Sequence, residues 1–235
     1  MLYSVERYLV ILLFILFSTQ IRAQSDSLKL EGEQFSKYLE DQFYIGFGYN
    51  LLLNKPSEAV QRNLSYNLQA GFIKDIPLNA RRNFGVGLGL GYAVNSYYSS
   101  IVAAETGDDI TYEVRSTSEF NRSKFETHSL EVPLELRWRT STAEEYRFWR
   151  IYAGAKLGYV FSGRSRTVTD NGNMVFSNTD IQKFQYGLIL SFGYNTWNVH
   201  AYYSLNPLLK EGAALQTGET FDLNVLRIGV IFYIL

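Results

Sequence analysis

The sequence has no cysteine and very little histidine. Without cysteine, the chain cannot form disulfides, thiolate metal sites, a cysteine nucleophile or a lipoprotein anchor. The two histidines are His128 and His200, and spacing alone places no nucleophile and orienting acid beside either. The acidic residues also lack the spacing of a calcium-binding loop. We therefore expect no catalytic residues, no metal and no cofactor, and we predict that the protein is not an enzyme.

The chain also has no large excess of positive or negative charge. The formal net charge is -1 and the pI is about 6.2, with no basic stripe along the chain. This balance excludes a nucleic-acid partner. The residue pattern identifies no small-molecule substrate either.

Long apolar runs are limited to one, Leu9 to Phe17, which follows Arg7. It is too short to span a membrane as a helix and suits the apolar centre of a secretory signal peptide. We expect residues 1–23 to be a cleaved signal and residues 24–41 to form a charged periplasmic segment. The exported chain could then cross a membrane only with strands, because helices and closed barrels are the only spanning structures.

Tyrosine, phenylalanine and glycine are abundant, with 18, 16 and 18 residues respectively. The mean hydropathy is nevertheless only -0.11. This combination fits a transmembrane β-barrel, whose strands are apolar on one face only. A soluble β-sandwich shares part of the signature.

The stretch HSLEVPLELRWRT, residues 128–140, is typical of a barrel strand. With period two, one face carries Leu130, Val132, Leu134, Leu136 and Trp138, and the other carries Glu131, Pro133, Glu135, Arg137 and Arg139. Such a strand meets lipid on one side and a polar interior on the other. In FGVGLGLGYAVN, glycines occupy one face and leave room for large side chains of facing strands.

Seven further alternating segments give eight predicted strands. Long connections near residues 54, 96, 164 and 207 alternate with short turns near 75, 140 and 195, and Asn171-Gly172 indicates a hairpin that prolongs two strands. Outer-membrane barrels have this asymmetry and even strand number. We predict an all-β, eight-stranded antiparallel up-and-down transmembrane barrel over residues 42–235, in the outer membrane, with both termini periplasmic. Aromatic girdles are expected at Tyr49, Tyr92, Trp138, Trp149, Tyr194, Trp197 and Tyr203.

Five charged residues fall on predicted inward faces: Glu131, Glu135, Arg137, Lys156 and Arg227. Eight strands enclose little more than packed side chains. We therefore expect these residues to form a structural salt-bridge network that fills the lumen. The functional alternative is a selective pore lined by the same charges.

Several segments resemble the PorT family of small outer-membrane barrels in Bacteroidota: KYLEDQFYIGFGYNLLLNKPS, RRNFGVGLGLGYAVNSYY, LEVPLELRWRT, FWRIYAGAKLGYVFS, KFQYGLILSFGYN and LRIGVIFYIL. The resemblance covers nearly the whole mature chain. It implies a non-enzymatic accessory of type IX protein secretion, with a further role in gliding motility, and implies secretion components as partners besides outer-membrane lipid. The alternatives are a small porin or transporter, or a structural barrel unrelated to secretion.

Overall fold

A computed structural model of the protein describes residues 42–79, 81–107, 109–116, 119–140, 149–170 and 172–234. This part of the chain is built from strands. Their bounds are β1 Gln42–Leu53, β2 Tyr66–Pro77, β3 Phe84–Tyr98, β4 Ile101–Thr106, β5 Asp109–Val114, β6 Arg122–Arg139, β7 Trp149–Thr169, β8 Gly172–Ser177, β9 Phe184–Tyr194, β10 Trp197–Ser204 and β11 Asn224–Ile234. No helix in the described residues has the length and hydropathy required to cross a membrane.

Eight of these strands close into a barrel. The hydrogen-bonded order is β1, β2, β3, β6, β7, β9, β10 and β11, all neighbours are antiparallel, and β11 pairs back onto β1. Closure leaves no unpaired sheet edge, which would be very costly in lipid. The predicted eight-stranded antiparallel barrel is confirmed. The three remaining strands lie at the end with the long connections, where β8 pairs with the last part of β7 and β4 pairs with β5.

The alternation on β6 is as predicted. Leu130, Leu134 and Leu136 are each about half exposed on the outer surface, whereas Glu135 and Arg137 are buried inside. Glycines of β3 make the close packing inside the barrel possible. A Cβ on Gly87 would lie 2.5 Å from Arg137 Nε, and one on Gly91 would lie 2.0 Å from the Tyr44 hydroxyl. The large polar residues of β6 and β1 therefore occupy the space that these glycines leave.

Aromatic side chains lie on the outer surface near both ends of the barrel. Near the short turns, Trp149 stacks on Phe192 at 5.2 Å and Trp197 meets Phe232 at 4.6 Å. The seven predicted girdle residues all face outward. Tyr49 is partly buried, and the other six are exposed: Tyr92, Trp138, Trp149, Tyr194, Trp197 and Tyr203. This arrangement matches the aromatic girdles of membrane barrels.

The two ends of the barrel differ. At one end, β9 turns directly into β10 through Asn195, whose φ of 55° suits a tight reversal. At the other end, the long connections pack together over the mouth. We call this region the loop cap; it comprises β4, β5, residues 178–181 and residues 207–223.

The loop cap has an apolar core, although the long connections that form it are rich in polar residues. Tyr112, Ile101, Leu208, Leu209 and Leu223 are almost completely buried there. β7 and β8 pair as the two arms of the predicted hairpin, with Thr169 of β7 opposite Gly172 of β8. Isolated bridges join Tyr112 to Leu215 and Ile181 to Leu209, so the separate connections hold one another in place.

Some expectations fall outside the described residues. These are the signal peptide at 1–23, the periplasmic segment at 24–41 and the centre of the connection at 141–148.

Candidate functional site in the barrel interior

The interior holds two groups of charged side chains, one above the other. The lower ion cluster, nearer the short turns, consists of Asp75, Glu135, Arg137 and Arg139. Arg137 Nε donates to Glu135 Oε2 at 2.9 Å, and Arg137 Nη1 lies 3.5 Å from Asp75 Oδ2. Arg139 donates to the same Asp75 carboxylate and, at 2.6 Å, to the carbonyl of Arg82. Within this cluster two acids contact two bases, and a third base, Arg150, is buried beside Arg139.

Tyrosine rings complete the lower part of the lumen. The Arg137 guanidinium lies 4.6 Å from the centroid of the Tyr152 ring and 5.4 Å from that of Tyr233. Arg150 also faces the Tyr233 ring, at 5.9 Å. Cations over aromatic faces are stabilised most where water is excluded, so these rings compensate part of the desolvation of the guanidinium groups.

The upper ion cluster consists of Glu131, Lys156 and Arg227. Lys156 Nζ donates to Glu131 Oε2 at 2.8 Å and to Gln69 Oε1 at 2.7 Å. Arg227 Nη1 lies 3.6 Å from Glu131 Oε1. The cluster thus carries one acid between two bases.

Amides satisfy the rest of the Arg227 guanidinium. Its Nε donates to Asn50 Oδ1 at 3.1 Å, and Nη2 donates to Asn95 Oδ1 at 2.7 Å. Asn95 in turn donates to Thr127, and Asn67 donates to Asn95. These amides form a polar layer between the upper ion cluster and the apolar loop cap.

The five predicted lumen residues all lie inside the barrel, but they separate into the two clusters. Glu131, Lys156 and Arg227 meet in the upper one, whereas Glu135 contacts Arg137 of its own strand in the lower one. Sequence reasoning missed Asp75, which it assigned to a turn. The signal was available, because Ser65, Asn67, Gln69 and Asp75 share one period-two face, and β2 continues to Pro77.

The two histidines occupy different surroundings. His200 is buried in the lumen, where its Nδ1 lies 2.8 Å from the Ser191 hydroxyl. His128 lies on the outer surface, with Nδ1 at 2.6 Å from the Tyr92 hydroxyl and Nε2 at 3.6 Å from Glu126 Oε1. They therefore belong to separate sides of the wall and cannot act together.

A tyrosine ties the loop cap together. The Tyr112 hydroxyl donates to Asp180 Oδ2 at 3.0 Å, and Asn178 Nδ2 donates to that hydroxyl at 3.2 Å. Its ring packs edge-on against Phe221 at 5.6 Å. Burial raises the pKa of the Tyr112 phenol above its ordinary value of 10.0, because the interior of the cap disfavours the phenolate. These contacts hold β5 against two other connections, the one at residues 178–181 and the one at residues 207–223.

The alternating wall, the polar interior and the closed strand order agree with a comparison against protein families. The family described as outer membrane protein beta-barrel domain matches residues 22–210. The chain belongs to this family. It is thus an outer-membrane β-barrel, and its apolar outer surface faces the lipid of that membrane.

Two solved structures of one bacterial protein also match. The attachment invasion locus protein Ail of Yersinia pestis is 11% identical, with a TM-score of 0.37, and the alignment covers 83% of this chain and 97% of Ail. A second Ail structure, in complex with the heparin analogue sucrose octasulfate, is 13% identical over the same shares, with a TM-score of 0.35. No curated protein sequence is significantly similar to the chain.

Proposed function

We propose that this outer-membrane barrel is a non-enzymatic accessory of type IX protein secretion and that its closed interior serves stability rather than transport. The proposal that the interior serves stability is supported by the way side chains fill the lumen. Glu135 and Arg137 are at most 2% exposed, and Glu131, Lys156 and Arg227 at most 5%. Charged side chains that line a conducting pore are hydrated, whereas these pair with one another.

The loop cap gives independent support for a barrel without a permanent channel. Its apolar core, which includes the almost fully buried Leu223, lies beyond the amide layer and packs with Tyr97 of β3 and Phe125 of β6. A dry apolar layer is a barrier to ions, which lose their hydration on entering it. Conduction would therefore require both the loop cap and the ion clusters to rearrange.

The secretion role rests on the resemblance of the strand segments to PorT. A barrel with a filled lumen would contribute through its outer wall, its turns or its loop cap, by holding other components of a secretion machine in the membrane. The sequence suggests no catalytic set, and His200 contacts Ser191 inside a closed barrel. This proposal accordingly assigns no chemical step to any residue.

The secretion role is tested by deletion. Loss of the gene should stop secretion of C-terminally targeted cargo while resistance of the outer membrane to detergent and large antibiotics stays normal. Complementation with the parent chain should restore secretion. Normal cargo secretion in the deletion strain would contradict the proposal, and affinity capture from native outer membranes should recover secretion components.

The closed lumen is tested separately in planar bilayers. The purified full chain should show no stable conductance. A steady conductance that changes selectivity in a Lys156→Met variant would instead favour the pore. Failure of this test would leave the secretion test unaffected, so the two parts of the proposal can fail independently.

A further inference from the structure

A group of basic side chains lies on the outer wall of the barrel, beyond the lipid-facing band. We call it the basic patch: Arg122 and Lys124 of β6, and Arg164 and Arg166 of β7. The two strands pair so that Lys124 lies opposite Arg166. All four side chains fall on the outward face, since the residues between them, such as Phe125 and Ser165, are buried. Glu126 lies on the same face, opposite Arg164, so the surface formed by the two adjacent strands carries four basic residues and one acid.

The height of the basic patch follows from the strand geometry. On β6 the outward face is apolar from Leu130 to Trp138, and His128 begins the polar part. His128 to Trp138 spans about 34 Å along a strand, or about 26 Å in height at a tilt near 40°. The apolar band of such barrels is about 25 Å tall. His128 thus marks one edge of the hydrocarbon layer.

Aromatic rings mark the same edge. Tyr92 stacks with Phe161 at 6.2 Å and with His128 at 6.1 Å. Lys124 is four residues beyond His128, which places it about 10 Å above that edge by the same rise and tilt. The headgroup layer on each side of the hydrocarbon is about 5–8 Å thick. Arg164, which lies opposite Glu126, is by the same rise and tilt about 5 Å above the edge and thus within the headgroup layer, whereas Lys124 and Arg166 lie just beyond it.

Charge in the basic patch is poorly compensated. Lys124 pairs with Glu126, and its ammonium also lies 5.6 Å from the Tyr98 ring centroid. Among the described residues, no carboxylate forms an ion pair with Arg122, Arg164 or Arg166. The contrast with the interior is clear, because every cation of the two ion clusters contacts a carboxylate.

The patch also has a concave part. A pocket of about 50 Å³ is lined by Tyr98, Arg122, Lys124, Arg166 and Val168. A cavity needs about 10–15 Å³ to hold one water, so the pocket has room for a group of a few heavy atoms, such as a phosphate. Arginine presents donors in a fork that matches phosphate oxygens, and lysine adds a point charge.

We propose that the basic patch binds the phosphate groups of the phosphorylated glycolipid in the outer leaflet of the outer membrane. The site takes a lipid whose acyl chains lie against the apolar band below Tyr92 and whose phosphates reach the pocket. This inference requires that the long connections face the cell exterior, as is usual for such barrels. It is independent of the secretion role.

The test uses the purified full chain in detergent micelles and native mass spectrometry. Three probes are added in turn: lipid A with its phosphates, the same lipid A after dephosphorylation, and inorganic phosphate. The variant Arg164→Gln with Arg166→Gln removes two charges from the patch. Its matched control, Arg62→Gln with Lys210→Gln, removes two charges from exposed positions at the same end of the barrel.

The parent chain should retain phosphorylated lipid A. Each basic residue near an anionic lipid surface contributes about five-fold in affinity, so the patch variant should bind about 25-fold more weakly and the control should bind like the parent. Equal retention of dephosphorylated lipid A, or equal loss in both variants, would overturn the proposal. Binding of inorganic phosphate as strong as that of lipid A would instead show a soluble-anion site and would also overturn it.

A second measurement does not depend on any variant. Raising NaCl from about 0.05 to 0.5 M shortens the screening length from about 14 to 4 Å, and should release phosphorylated lipid A from the parent chain. Retention that is unchanged by salt would mean that acyl-chain contacts alone hold the lipid, which would contradict the proposal.

Discussion

Glu131 is the residue on which the stability of the interior most depends. It is the carboxylate shared by Lys156 and Arg227, and the side chains of the three residues are only 7%, 4% and 3% exposed. Glu131→Gln keeps the shape of the side chain and removes the charge. The upper ion cluster then changes from one acid and two bases to two uncompensated bases in a space that water hardly enters.

The loss of folding free energy in Glu131→Gln can be bounded. Breaking a buried ion pair by removing one partner costs about 3–5 kcal/mol, because the other charge stays buried. Lys156 keeps its hydrogen bond to Gln69, and Arg227 keeps those to Asn50 and Asn95. We therefore expect the lower end, about 3 kcal/mol, which is roughly 150-fold in the folding equilibrium constant.

Two comparison variants make this prediction specific. In Glu135→Gln, Arg137 retains Asp75 at 3.5 Å and the Tyr152 ring, so the loss should be smaller, about 1–2 kcal/mol. In Glu113→Gln, the lost pair with Arg115 is more than a third exposed on both sides. Such surface pairs contribute at most about 1 kcal/mol, and this variant serves as the matched control.

The assay is reversible urea unfolding of the full chain in lipid vesicles, followed by the fluorescence of its 3 tryptophans. The order of destabilisation should be Glu131→Gln, then Glu135→Gln, then Glu113→Gln. Adding Lys156→Met to Glu131→Gln should recover part of the loss, because it removes one of the two uncompensated charges. Equal midpoints for Glu131→Gln and Glu113→Gln would refute the reasoning.

Three further predictions concern closure, the loop cap and orientation. A Cβ on Gly154 would lie 1.9 Å from a backbone oxygen of β6, whereas the atom nearest to a Cβ on Gly158 would be 3.6 Å away. Gly154→Ala should therefore abolish the heat-modifiable band of the folded barrel on a gel, and Gly158→Ala should keep it. Burial raises the pKa of Tyr112; the phenol therefore stabilises the folded cap fully below the unfolded pKa of about 10, and this stability is lost as the pH rises above it. Protease resistance of the cap should fall above about pH 10, and it should fall less steeply in Tyr112→Phe, so identical pH profiles would contradict this account. Because the chain has no cysteine, a single introduced cysteine can report which end of the barrel faces the cell exterior. An impermeant maleimide should label Lys210→Cys, in a long connection, but not Asn79→Cys, at a short turn, on intact cells. The reverse labelling would mean that the long connections face the periplasm.

The barrel itself could be predicted because its strands obey a local rule. Each outward residue must tolerate lipid and each inward one must fit a narrow polar lumen, so period two is visible within a single segment such as residues 128–140. Even the packing of Arg137 against Gly87 follows from this rule, since a face of glycines on one strand implies a large side chain on another. The pattern says little, however, about which charges meet.

Pairing inside the lumen depends on strand stagger, which alternation does not reveal. Glu131 and Glu135 lie on the same face of β6, yet one meets Lys156 and Arg227 while the other meets Arg137. The register between strands, including the irregularity at His128/Ser129, decides their heights. Asp75 was missed for a simpler reason, because the nearby proline suggested that the strand had already ended.

The loop cap was the least predictable part, and its structure explains why. Its core is assembled from short segments that are distant in the chain, as in the contact of Tyr112 with Phe221 and its hydrogen bonds to residues 178 and 180. Within each segment the apolar residues are too few and too irregular to show a period. They become a core only when three connections are brought to one mouth by the closed barrel.

The ionic interior and the apolar loop cap both bear on where the function of this barrel lies. An ionic interior inside the membrane and an apolar core above it both hold side chains in fixed places, and the charged residues of the one and the apolar residues of the other are almost completely buried. A partner or ligand must then be recognised from outside, on the wall, the turns or the surface of the cap. The basic patch is such a surface, and the lipid A test examines it without disturbing Glu131 or Arg227. If charge removal from the patch also stopped cargo secretion while the Arg62→Gln, Lys210→Gln control did not, lipid contact and secretion would share one surface.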